Sequence, residues 1–225
     1  MSVPLVLVAA SGLAREVLAA LAEDPAGHEV RGVLDDAPNL QGTLVGGVPV
    51  LGTLEDAAAH PDAQLLVCVG RGAGRATVVD RLAGLGVTDE RYATYVHPLA
   101  SVPATCRVGS GSVVLAGAVL TTDVRLGRHV VVMPRVVLTH DDSVADFATL
   151  CSGVVLGGHV HVGRAAYLGM NSSVREDSTV GAGAVLGMGA VLLTDLPDDQ
   201  TWVGVPARPR TTSSVRTTTS IGSTS

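Results

Sequence analysis

The chain has 225 residues and a formal net charge of −6, and its 47% hydrophobic content is ample for one large domain or two modest ones. Every basic residue is an arginine and none cluster, which excludes a phosphate-tracking nucleic-acid surface, and no run reaches the roughly 20 apolar residues of a membrane span. Cys68, Cys106 and Cys151 have neither CxxC nor Cys/His spacing and no basic leader opens the chain, so neither a disulfide framework nor a metal is expected, and a cytoplasmic setting is.

In chain order, Pro4 to Ala10 predicts a buried strand and Gly12 to about Glu23 a helix. His28 to Leu34 predicts a second strand ending in Asp35-Asp36, Leu65 to Gly70 a third, and Arg71 to Gly84 another helix. Strands alternating with helices imply a small Rossmann-like βαβ sheet over residues 1–97. Its first turn, Ala9-Ala10-Ser11-Gly12-Leu13-Ala14, stands where doubly wound folds hold a phosphate on a helix N-terminus. Only one of the usual glycines is there, and an ordinary strand-to-helix connection reads equally well.

From Val102 the pattern changes. A branched aliphatic recurs at every sixth residue without a miss through Leu192, sixteen positions in all. A period of six fits neither a helix nor a coiled coil, and it matches the hexapeptide repeat of a parallel β-helix. The next residue is often glycine (Gly109, Gly127, Gly157, Gly163, Gly169), where the backbone is expected to turn tightly, and the residue two before is usually small. Three hexapeptides close one triangular coil, so residues 18 apart should stack at the strand spacing, and about five coils make a prism roughly 24 Å tall. A β-sandwich would instead alternate every two residues and turn on dipeptides such as Asn-Gly, which the chain lacks. The aromatic content of 2% agrees with a core of aliphatics on a lattice. The prism should occupy residues 98–210, and residues 211–225, rich in Ser and Thr, should be a disordered tail.

In this register His140, Gly158, Met170 and Met188 share one outward phase, two positions after the repeating aliphatic. His140 and Gly158 belong to one stack, Met170 and Met188 to a neighbouring one, and an elongated ligand across both stacks would touch all four. His140 is followed by Asp141 and Asp142, so an imidazole beside a carboxylate stands on a rigid wall, as a general base requires. A solvated surface histidine among acids is the other reading, and these residues alone leave both open. His159 and His161 are read as surface residues at a glycine-rich corner, and His28, His60, His97 and His129 as isolated. Cys151, next to the inward Leu150, reads as an inert core thiol.

The chain resembles the sialic acid O-acetyltransferase (NeuD-like) and bacillosamine N-acetyltransferase (PglD-like) family of left-handed β-helix acyltransferases. The resemblance is carried by Leu5 to Ala14, Val33-Leu-Asp35-Asp36, Val48 to Gly52, Tyr95 to Pro98, Thr139-His140-Asp141, Val162-Gly163, Leu168 to Val174 and Val203 to Arg208. It implies acetyl-CoA as co-substrate, a small-molecule sugar acceptor and a homotrimer, with His140 as catalytic base, Asp141 as its acidic partner and the Gly158 N–H on the thioester oxygen. It also implies a pantetheine arm along Met170 and Gly187-Met188 and an adenine end near Val203, Gly204 and Pro206.

Ser11, Gly12, Asp35, Asp36 and Thr149 are the candidate acceptor contacts. The family's Gly-x-Ser-Gly-His-Gly turn has lost two glycines and a histidine here, and Thr149 stands where the family has a second histidine. The resulting expectation is an N-acetyltransferase of an amino sugar, nucleotide-linked. O-acetylation of a sugar and a β-helix scaffold without catalysis are the alternatives.

Overall fold

The computed structural model describes residues 2–210, and the Ser/Thr-rich segment read above as a tail lies outside the described residues. The chain begins with β1 (Val3–Val8), α1 (Gly12–Glu23), β2 (His28–Leu34), β3 (Leu44–Val45), β4 (Val48–Gly52), β5 (Gln64–Val67) and α2 (Gly72–Gly84). The strands form one sheet in the order β3-β4-β2-β1-β5. β1 lies parallel to both β2 and β5, as helical crossovers require. The β3-β4 hairpin is an addition to the expected elements.

β6 (Tyr95–Val96) then opens a column of two-residue strands that recur every six residues from Arg107–Val108 to Val191–Leu192. Each pairs in parallel with strands 18 residues away, as in Arg125↔Ser143, Val131↔Thr149 and Val137↔Val119. Three sheets of five, eight and five strands thus wall a triangular prism, a left-handed parallel β-helix. Because β6 pairs with Val113–Val114, the prism sheet starts ahead of the boundary expected after residue 97.

Sequence dictates the interior directly. From Val114 to Leu192 every sixth aliphatic is buried, while Val102 and Val108 are partly buried against the same core. Ala118, Ala148, Ala166, Ala184 and Ala190, each two residues before such an aliphatic, are fully buried and fill the space between them. Each full Val or Leu burial contributes roughly 1.5–3 kcal/mol of transfer free energy, so a regular lattice of small aliphatics replaces the aromatic core this chain lacks.

The expected role of the glycines needs correction. An added Cβ at Gly109, Gly163, Gly169 or Gly181 would lie 2.4–2.5 Å from backbone atoms of the following coil, so glycine there permits coils to approach rather than turn. The turning is done two residues later, where φ is positive at every sixth residue from Gly111 to Gly189. Several of those residues are Asp, His or Asn, among them Asp123, His129, Asp141, His159 and Asn171, the types that best tolerate this conformation after glycine.

The N-terminal sheet and the prism share a core. Leu5, Leu7, Val17 and Leu18 pack with Tyr95, Val113, Leu115 and Val131, so α1 and β1 lie against one outer wall of the column. Arg75 on α2 makes a second joint. Fully buried, it donates to the carbonyls of Val69, Gly70, His129, Phe147 and Ala148 and to Thr149 Oγ1. No helix among the described residues is long and apolar enough to cross a membrane.

Candidate active site

The corner after Val137–Leu138 carries the histidine singled out by the repeat. It is braced from within by Asp142, which is fully buried and accepts the N–H of Thr139 (2.8 Å) and, one coil on, of Val160 (2.9 Å). Burial pushes the Asp142 carboxyl up to about 6, against the opposing pull of those two donors. Asp141 takes a left-handed φ of 63°, and both it and His140 are exposed.

His140 Nδ1 lies 2.9 Å from Asp141 Oδ2. Donation from Nδ1 to the carboxylate leaves Nε2 as the free basic nitrogen. The same bond holds the Asp141 carboxyl below its ordinary range, with the positive charge of His159 and Arg125 adding to it. One coil on stands Gly158, where a Cβ would meet His140 Cε1 at 2.3 Å and Nε2 at 2.4 Å, so only glycine leaves room for the ring. The Gly158 N–H has no hydrogen-bond partner among the described residues. A proton acceptor and an idle backbone donor therefore sit side by side.

His159 is exposed, as its glycine-rich corner predicts, but it belongs to this cluster. Its Nε2 lies 3.5 Å from Asp141 Oδ2 and its ring stands edge-on to His140 at 5.3 Å between centroids. The readable signal was its place 18 residues after Asp141. His129, read as isolated, is instead buried, stacked on Phe147 at 5.1 Å and edge-on to Tyr92 at 4.6 Å.

Met170 and Met188 occupy the corner on the other edge of the same prism wall, 49% and 72% exposed. Gly189 N–H donates to Met170 O (2.8 Å), while the N–H groups of Met170 and Met188 have no partner among the described residues. Gly187 packs against Val203, and Val203, Gly204 and Pro206 are exposed at the top of the column. Between the two corners Val119 and Val155 face outward, 36% and 43% exposed, an apolar wall bounded by the histidine on one side and the methionines on the other.

The candidate acceptor contacts fall elsewhere. Ser11 is committed to structure, its hydroxyl capping α1 at Ala14 N–H and donating to Cys68 O. Asp35 accepts Ala10 and Ala37 N–H, and Asp36 accepts Leu54 N–H and pairs with Arg81 at 2.6 Å. Gly12 and Thr149 do meet, lining a hollow of about 260 Å³ with Arg71, Met133, Cys151 and Tyr167. Arg71 lies 4.1 Å above the Tyr167 ring, and the buried Thr149 hydroxyl donates to Gly70 O. Burial raises the Cys151 thiol, in keeping with an unreactive side chain. None of the residues lining this hollow belongs to the His140 corner of the same chain.

No family model and no curated relative matches the chain. Solved structures do. The acetyltransferase domain of PglB from Neisseria gonorrhoeae, solved alone and in complex with acetyl coenzyme A, is 31% identical over 93% of this chain and 100% of that one, with a TM-score of 0.82. A perosamine N-acetyltransferase from Caulobacter crescentus, solved as a histidine variant in complex with CoA and GDP-perosamine, is 27% identical over 92% of this chain and 97% of that one, with a TM-score of 0.84. WeeI from Acinetobacter baumannii, 24% identical over 92% of this chain and 99% of that one with a TM-score of 0.82, shares the fold. With the hexapeptide prism, the N-terminal sheet and a full-length match of this kind, the chain belongs to the NeuD/PglD-like family of hexapeptide-repeat acyltransferases.

Proposed function

We propose that this acyltransferase moves an acetyl group from acetyl-CoA to the amino group of a nucleotide-linked amino sugar, with His140 as general base. The observation that carries the reading is the 2.9 Å His140–Asp141 pair beside the Gly158 N–H, which has no partner among the described residues. The Nδ1 bond to Asp141 fixes the ring with Nε2, the basic nitrogen, beside Gly158. As the acceptor nitrogen attacks the thioester carbon, Nε2 takes its proton, and the Gly158 N–H receives the negative charge that develops on the oxygen. Collapse of the tetrahedral intermediate breaks the C–S bond, and the imidazolium returns the proton to the leaving thiolate. No covalent enzyme intermediate is required.

The pantetheine arm would lie on the apolar wall, meeting the N–H groups of Met170 and Met188 beside Gly187, with the adenine end at Val203, Gly204 and Pro206. The acceptor would enter the hollow lined by Gly12 and Thr149, close to the turn capped by Ser11 and buttressed by Asp35. Since that hollow and the His140 corner do not meet within one chain, a homotrimer in which one subunit's hollow faces its neighbour's histidine is part of the proposal. The substrates named for the Neisseria and Caulobacter relatives support the choice of donor and acceptor. Three free buried cysteines support a reducing, cytoplasmic setting.

Replacing His140 tests the reading. In His140→Ala, thiol release from acetyl-CoA with an amino-sugar acceptor should fall by at least about 10² with the fold retained by circular dichroism. Undiminished turnover would remove His140 from the mechanism. Release with an acceptor whose amine is replaced by a hydroxyl would favour O-acetylation.

A further inference from the structure

The proposed chemistry uses His140 and Asp141 but gives His159 no task. These three side chains each offer a ligand atom within 4.8 Å of the other two, and all three are exposed. Two imidazoles and a carboxylate are a donor set for a borderline divalent ion. Zinc binds such atoms at about 2.0–2.2 Å, which places neighbouring ligands of one tetrahedral ion roughly 3.3–3.5 Å apart. His159 Nε2 and Asp141 Oδ2 already stand 3.5 Å apart, and the 2.9 Å between His140 Nδ1 and Asp141 Oδ2 needs only a small opening.

The scaffold is rigid, because His159 N–H is tied to His140 O at 3.0 Å and Asp141 and His159 hold the same left-handed corner one coil apart. The charge around it favours a cation. Asp123 and Asp177 hold the coils on either side in that same corner, and Arg125 is the opposing cation nearby.

We infer that His140, Asp141 and His159 form a capture site for a zinc-class divalent transition ion, whose binding to His140 Nδ1 moves the ring proton to Nε2 and so silences acetyl transfer by removing the free basic nitrogen. The binding stands on geometry alone, while the silencing rests on His140 as base.

Co2+ serves as the probe. Titrated into the full chain, it should give a visible absorption band saturating at one ion per chain, displaced by Zn2+. Asn171 holds the same corner conformation, so His159→Asn keeps the turn while removing a ligand. That variant should bind Co2+ at least about tenfold more weakly. It should also retain turnover in Zn2+ that silences the unaltered enzyme, and EDTA should restore the latter. Absence of the band, or equal Co2+ affinity in His159→Asn, would overturn the site. Binding without loss of turnover would uphold the site and count instead against His140 as the base.

Discussion

Equivalent corners of the prism hold residues with opposite fates. Asp141 and His159 are exposed, whereas His129, in the same backbone conformation, is 1% exposed with no partner for Nδ1 among the described residues. Burial first, then the nearby Arg75 and Arg128 charges, lowers its imidazole to about 4 from an ordinary 6.5. The unfolded chain therefore takes up this proton before the folded chain does, so the neutral ring's contribution is complete above pH 6.5 and drains away as pH falls toward 4. By pH 4.5 the loss should reach about 2–3 kcal/mol. Urea unfolding at pH 7.5 and 4.5 checks this: His129→Phe, which copies Phe147 one coil on, should lose less stability between the two than the unaltered chain. Equal losses would exclude His129 as the sensor.

Its environment was hidden from the sequence because Tyr92 and Arg75 arrive from the other part of the chain, whereas His140 was legible because its phase depends only on counting sixes. Ala9 shows the same limit. Ala9 holds a positive φ of 79° without being glycine, and Leu13 and Ala14 are buried in the core of the N-terminal sheet, neither of which the turn's own residues announce.

Among elements, α2 depends most on a single side chain. Arg75 satisfies five carbonyls and a hydroxyl with no carboxylate partner among the described residues, and burial brings it down to about 10. Gly72 adds to the joint, since a Cβ there would lie 2.1 Å from Phe147 O. Arg75→Met should strand several buried acceptors and cost at least about 3 kcal/mol. Chemical denaturation checks the size, and a separate early transition would mark release of the N-terminal sheet. No local pattern distinguishes this arginine from the exposed Arg81 on the same helix. The β3-β4 hairpin, in contrast, carried a sign in Gly46-Gly47, both with positive φ, but the two-residue β3 is too short to register as alternation.

At the scale of the molecule, the repeat made the prism readable because one period governs sixteen positions, while the proposed assembly of the site across subunits would leave no periodic trace. Analytical ultracentrifugation should find three chain masses, and a monomer with full activity would contradict the shared site proposed here.

The stacking of each coil on the last also fixes which length changes the column can absorb. An insertion or deletion of 18 residues adds or removes one complete storey and leaves every wall above it facing as before. A change of six carries all later residues one wall around the triangle, and a change of one turns inward residues out. Divergence along such a chain should therefore proceed by whole storeys, with the distance from histidine to summit, and so the length of ligand accommodated, as the quantity free to vary.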